Sequence, residues 1–345
     1  MQTSVVLEGR AIVGPETARL FADGALTVTA TGDVIFSELL AYRIRGLRGA
    51  TGLIENIAGT GSIDGMDKAD NVVATAAPIG HPVAIVKDSD GNLYIASNPF
   101  SYDSSSSASE NGNLTIRRID ALTGVVTTVA GRVSGPSGCM STDGGAAAGE
   151  LALGRGIWDM TIDASDNLYV AVFDKCGPAG AQRNKIRRIS LSSGVVQTIA
   201  GKDGEGFSGD RADAASAGFE APRSLAWSPK GGLFIADGPR IRSIDLVTGV
   251  IDTIAGDRLS YSSDSKESAV GTVLIDPSDL AVDFAGNLFF VDIGVIKKLN
   301  VDTKEISTVA GSSIGFSGSG TDGNPAQLSH APNGLAIDDR GDLYF

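Results

Sequence analysis

A short closing phrase ends five successive stretches of this chain and fixes its architecture before any single residue is interpreted. It reads LIENIAG (Leu53 to Gly59), VVTTVAG (Val125 to Gly131), VVQTIAG (Val195 to Gly201), VIDTIAG (Val250 to Gly256) and EISTVAG (Glu305 to Gly311). Before these phrases a second run recurs as NLYIAS (Asn92 to Ser97), NLYVAV (Asn167 to Val172), GLFIAD (Gly232 to Asp237) and NLFFVD (Asn287 to Asp292), and then as DLYF (Asp342 to Phe345). The spacing between closing glycines is uneven while the runs stay constant, so fixed strands are joined by elastic loops. An internal period of this kind marks a repeat architecture.

Within a unit the apolar pattern has period two. SLAWS (Ser224 to Ser228), LFIAD, RIRSID (Arg240 to Asp245) and VIDTIAG are four short β-rich runs, each bounded by Gly, Asp, Asn or Pro. DSDGN (Asp88 to Asn92), ASDN, SPKGG and FAGN separate the first run from the second, and ALTG, LSSG and LVTG the third from the fourth. Such residues tolerate the positive φ of tight hairpins. Four antiparallel strands so joined make a propeller blade, and no helical or βαβ rhythm competes. The expected fold class is all-β.

These units resemble NHL repeats, whose blades read GLAID, GNLYVAD, RIRKID and TVAG in turn. The resemblance runs from about Asp23 to Phe345, and GFSGD (Gly206 to Asp210) and GFSGSGTDGNPA (Gly315 to Ala326) are similar to the Gly-rich inter-blade segment of the bacterial type. It implies a β-propeller and leaves activity open, because propellers host binding modules, enzymes and scaffolds.

One propeller domain over 1–345 is expected, with six four-stranded antiparallel blades at about 23–59, 82–131, 157–201, 222–256, 277–311 and 332–345 plus 4–13. The sixth would be stitched from both termini, since a ring that fails to close leaves exposed strand edges. PETARLFADG (Pro15 to Gly24) reads like NPAQLSHAPNG (Asn324 to Gly334), which puts Ser4 to Val13 where an outermost strand belongs. No run matches a third strand for that blade. It is therefore incomplete, or the chain is a fragment, which its end in mid-repeat favours.

Net charge is -13 over 345 residues, which argues against nucleic acid, whose phosphates need a basic surface. No apolar run is long enough to span a membrane, and no signal peptide is visible. No cofactor is required by the sequence, and oligomeric state is not readable. Cys139 and Cys176 have no CxxC spacing. In a four-stranded blade the fourth-to-first and second-to-third connections emerge on one face. Cys139 lies in the former and Cys176 in the latter, both in overlong loops. A Cys139–Cys176 disulfide would then staple two insertions and imply an extracellular or periplasmic setting. Two unpaired thiols are the other reading, and the compartment stays open between them.

The insertions, including SYDSSSSASENGN (Ser101 to Asn113), all fall on that same face, where partners are expected. Tyr102, Asp103, Asp174, Phe207, Asp237, Asp292 and Phe316 are its binding candidates. Asp237 and Asp292 end second strands, where the resemblance implies capping or pairing with strand cations. Those cations, Arg117 and Arg118, Arg187 and Arg188, Arg240 and Arg242, Lys297 and Lys298, recur in every blade and read as structural ties. His81 and His330, the two histidines, sit before innermost strands; two are too few for a three-ligand zinc site, and they read as solvated. DSDGN lacks the remaining calcium ligands. GKDGEGFSGD lacks the Lys-Ser/Thr and helix of a phosphate loop. Trp158 and Trp227 read as core. No catalytic constellation appears.

The leading expectation is a non-catalytic binding or scaffolding propeller that meets a protein or glycan partner through the long-loop face. The alternatives are a propeller enzyme, a metal-dependent lyase or lactone hydrolase at the channel mouth, and a sensor or extracellular segment of a larger modular protein.

Overall fold

The computed structural model describes residues 24–62, 69–98, 114–131, 139, 143, 152–176, 182–204, 206–256, 269–311 and 334–345. Blade one is β1 (Leu26–Val28), β2 (Val34–Glu38), β3 (Arg43–Leu47) and β4 (Ile54–Ala58). Blade two holds β5 (Val72–Val73), β6 (His81–Lys87), β7 (Leu93–Asn98), β8 (Thr115–Ile119) and β9 (Val125–Ala130); the short β5 adds an outer edge to β9. Blade three is β10 (Gly156–Ile162), β11 (Asn167–Asp174), β12 (Arg183–Ser190) and β13 (Val196–Ala200). Blade four holds β14 (Ala212–Asp213), β15 (Pro222–Ser228), β16 (Gly232–Asp237), β17 (Ile241–Asp245) and β18 (Val250–Ala255), with β14 outermost. Blade five is β19 (Pro277–Val282), β20 (Leu288–Asp292), β21 (Val295–Asn300) and β22 (Glu305–Ala310). Last come β23 (Ala336–Ile337) and β24 (Leu343–Tyr344), paired only with each other.

The fold is an all-β propeller, and among the described residues the expectation of six blades is corrected to five complete ones. The sixth station holds a two-stranded sheet, because the repeat that begins near Gly334 contributes only its first two runs. The proposed outer strand at 4–13 lies outside the described residues. The first strands β1, β6, β10, β15 and β19 touch in chain order, and β23 touches both β19 and β1, so the inner ring is continuous.

The apolar cores lie between blades. Tyr94 and Ala84 of blade two pack with Leu168 and Val170 of blade three. Leu335 of the two-stranded sheet packs on Val291 and Ile296 of blade five, and Tyr344 on Val34 and Phe36 of blade one. A second strand thus has a neighbouring blade on each face. That is why β7 is buried along its whole length while β18 is buried only in part. The second runs of the repeat are accordingly the most continuously buried.

Turn chemistry matches the hairpin reading. Asp88 accepts hydrogen bonds from the Asn92 amide at 2.8 Å, the Asn92 side chain at 2.7 Å and the Tyr94 hydroxyl at 3.1 Å. Asp163 is used the same way by Asn167 and Tyr169, and Asp283 by Asn287. The residue closing each phrase is glycine for a reason of space and backbone. Gly256 has φ +82, and a Cβ there would collide with the carbonyl of Pro239; Gly59, Gly131, Gly201 and Gly311 have the same geometry against their own third-strand approaches. Gly256→Ala is expected to cost about 1–3 kcal/mol, the price of a left-handed non-glycine residue, measurable as a lowered urea midpoint. A neutral result would show that the loop relaxes freely.

Candidate functional site

The face carrying the long connections is tied together in blade three. Cys139 and Cys176 form a disulfide with Cα atoms 5.7 Å apart, joining the approach to the blade with its second-to-third-strand loop. Beside it, the buried Asp174 at the end of β11 takes the Arg183 guanidinium through both oxygens and the Cys176 backbone N–H at 3.1 Å. Lys185 reaches Asp203 at 2.9 Å and donates to the Gly201 carbonyl at 2.8 Å. The disulfide, a carboxylate and two cations therefore converge on one loop pair.

The other candidates occupy the same side of neighbouring blades. Asp237 accepts the backbone N–H groups of Glu220 at 2.7 Å and Ala221 at 2.8 Å; burial pushes its carboxyl up. Asp292 accepts from Ile275 and Asp276 and pairs with Lys297 at 2.6 Å. Both carboxylates are thus aimed at their own blade's approach segment. Phe207 carries the Arg240 guanidinium 4.0 Å from its ring centroid and that of Arg242 at 4.8 Å. His81, expected to be solvated, is partly buried instead: it meets Tyr42 edge-on at 4.9 Å, and burial lowers its pKa. Trp158 packs against Phe173 at 4.8 Å. Tyr102, Asp103, Phe316 and His330 lie outside the described residues. Among the described residues, no group of three or more His, Cys, Asp or Glu could hold a metal ion.

The repeated cations split into two kinds. Arg118 and Arg188 reach Asn92 and Asn167 at the first hairpins. Arg117, Arg187 and Arg242 are buried and reach back to the segment before their own blade, where Asp70, Asp143 and Asp210 receive them at 2.9–3.1 Å. A register shift falls just before each of these three arginines, as it does before Arg45 and Lys297. Such a bulge re-aims the side chain that follows it.

A different group was missed by pattern reading. Asp159 on β10, Ser224 on β15 and Asp279 on β19 stand at corresponding places in three consecutive innermost strands, each beside a register shift. The Ser224 hydroxyl donates to Asp159 Oδ2 at 2.9 Å, and the Leu225 N–H donates to the same oxygen at 2.8 Å. Ser224 Oγ in turn accepts the Leu280 N–H at 3.0 Å. Ser278 donates to Asp279 Oδ2 at 2.7 Å. Both residues are partly buried. Burial, only partly offset by hydrogen bonds from Leu225, Met160 and Ser224, pushes Asp159 up to about 7, and the nearby Asp279 charge adds to this. Burial raises Asp279 as well. The signal was present: the third residue of the first-strand motif reads Ala84, Asp159, Ser224, Asp279 and Gly334, varying where the rest repeats.

Residues 181–311 match the family model of the teneurin NHL domain. That match agrees with the resemblance of the repeating blades to NHL repeats, and the fold is that of a β-propeller. A solved protein of unknown function from Bacteroides thetaiotaomicron VPI-5482 is similar, with TM-score 0.59 and 15% identity over 93% of this chain and 66% of its own, so the chain spans just under two thirds of that protein. A gluconolactonase from Xanthomonas campestris has TM-score 0.53 and 12% identity over 93% of this chain and 82% of its own. A streptogramin B lyase has TM-score 0.51 and 14% identity over 95% and 91%. At these identities the likeness is one of fold. No curated protein matches the sequence.

Proposed function

We propose that the chain is a non-catalytic binding propeller, a single domain whose loop-bearing face meets a protein or glycan partner in an oxidising, extracytoplasmic setting. On this reading residues 4–13 add an outer strand at the sixth station. The observation that carries the proposal is the Cys139–Cys176 disulfide, which holds two elaborated loops of one face together beside Asp174, Arg183 and Lys185. Loops fixed before binding lose less entropy on binding, which is what a recognition surface gains from such a staple. A disulfide persists where thiols are not kept reduced. The repeated acids and cations are spent on the blades themselves, which leaves the unequal loops to recognise a partner.

The test is to probe glycan and extracellular-protein arrays with the wild-type propeller and with the Cys139→Ser/Cys176→Ser double variant. The expected result is at least one ligand that the wild type binds and the variant binds tenfold or more weakly, while the variant keeps its β-sheet circular dichroism. Ligands held equally by both would sink the loop-face reading.

A further inference from the structure

The tight turn between β20 and β21 is built on an unfavourable residue. Asp292 pairs with Val295 across it, so Ile293 and Gly294 alone make the turn. Both have positive φ, +47 and +71. A two-residue hairpin turn with both central residues left-handed calls for Asn, Asp or Gly at its first place. Blade four has Gly238, at φ +57, at the corresponding place. Among the described residues Ile293 is the one β-branched side chain in the left-handed region, where its Cβ crowds the backbone.

Core packing does not account for that strain, because Ile293 is 42% exposed. On the other side of the Asp292 carboxylate stands Ile275, 62% exposed, whose N–H donates to Asp292 Oδ1 at 2.9 Å. The Asp276 N–H donates to the same oxygen at 3.1 Å, and Lys297 holds Oδ2 at 2.6 Å. The Gly294 carbonyl lies where a Cβ at Gly311 would stand. The turn is thus braced by the approach segment, by β21 and by the end of β22. Two isoleucines are presented to solvent on fixed backbone, on the face that carries the long connections. Leu122 and Val247 are more exposed still, but they sit on the opposite face without positive φ, where single apolar residues need no explanation.

We propose that Ile275 and Ile293 are paired anchors for a protein partner, and that the segment they seat carries an apolar side chain flanked by basic residues. This rests on the loop-face reading and narrows it from protein or glycan to protein. Backbone strain held in place by its surroundings clusters where a ligand is gripped. An isoleucine kept where asparagine would fit better supplies the one thing asparagine lacks, an apolar surface. A sugar, rimmed with hydroxyls, would call for hydrogen-bonding or aromatic groups, which two aliphatic side chains do not offer. The rim is polar: Asp276 pairs with Arg223 at 3.0 Å, both about half exposed. An apolar centre within a polar rim is the anatomy of a protein interface. The sign of the partner follows from charge. The chain has a net charge of -13, and the connection that carries Ile275 has Asp257, Asp264, Glu267 and Asp276 against Arg258 and Lys266. Such a surface steers a basic segment toward it.

The experiment measures binding of fluorescent synthetic peptides to the intact chain. Each peptide has one Ile or Leu flanked by Lys and Arg; the controls have acidic flanks, or Ser in place of the apolar residue. At least one basic apolar peptide should bind the wild type, and its Ser version should bind about tenfold or more weakly. Ile293→Asn should weaken that peptide by a similar factor while its urea midpoint stays at or above that of the wild type, since Asn-Gly suits the turn. A residue with a merely structural role would not give that combination. Ile275→Ser should weaken the same peptide, and Val247→Ser on the opposite face should not. No peptide bound above the controls, or binding unchanged in both Ile293→Asn and Ile275→Ser, overturns the proposal. A disulfide-dependent ligand from the arrays that ignores Ile293→Asn overturns it too, and leaves the loop-face reading standing.

Discussion

Removing the Cys139–Cys176 disulfide should lower the stability of the propeller by about 4 kcal/mol. The bond joins residues 37 apart, and the chain-entropy relation for a closed loop of that size gives this magnitude through the unfolded state. The Cys139→Ser/Cys176→Ser variant should therefore show a lower denaturation midpoint with an unchanged fold, and the wild type under reductant should match it. Because blades contact only their neighbours, the loss should appear first in blade three, as earlier proteolytic nicking of its loops. A non-reduced digest of the wild type should yield one linked peptide pair and no alkylatable thiol at either position. Equal midpoints for variant and wild type would mean that the loops lose nothing on release.

That bond was only half legible in the chain: topology puts the two loops on one face, but the sequence left a disulfide and two unpaired thiols both open. The same logic made the strands readable: GLFIAD alternates with turn residues on both sides and becomes β16, buried through most of its length because blades cover both of its faces. The blade count was less legible. A sixth first-and-second-strand pair can be seen from Gly334 onward, but counting motifs does not count complete sheets, and β23 and β24 stand alone. The axial trio escaped for a different reason. Repetition directs attention to what recurs, and at the third place of the first strand the informative fact is that Asp159, Ser224 and Asp279 differ from Ala84 and Gly334. A register shift beside them also interrupts the period-two pattern, so their facing could not be read from alternation. Asp237 and Asp292 were both binding candidates and, by the resemblance, loop caps or partners of strand cations. Their carboxylates satisfy pairs of backbone N–H groups, as the capping expectation has it, a demand that alternation alone does not reveal.

The largest single-residue effect is expected at Arg242, which is fully buried in blade four. Its guanidinium donates to the Gly218 carbonyl at 2.8 Å, the Ser208 carbonyl at 3.0 Å and Asp210 at 2.9 Å. Asp237 lies 3.5 Å from it, and the Phe207 and Phe219 rings flank it at 4.8 and 5.2 Å. Truncation to alanine would strand two carbonyls and leave Asp237 buried without its counter-ion, a class of change that costs about 3–5 kcal/mol. Arg242→Lys should recover only part of this, because an ammonium keeps the charge but cannot span the fork that holds both carbonyls and a carboxylate. The contrast is Arg223→Ala. Arg223 pairs with Asp276 at 3.0 Å where both side chains are about half exposed, so its loss should cost no more than about 1 kcal/mol. Urea unfolding of the three variants decides the matter. If Arg242→Ala and Arg223→Ala fall equally, the recurring buried cation is not what ties the blade to the segment before it. If they separate as expected, recurrence in this chain marks structure, and function is to be sought where the blades differ.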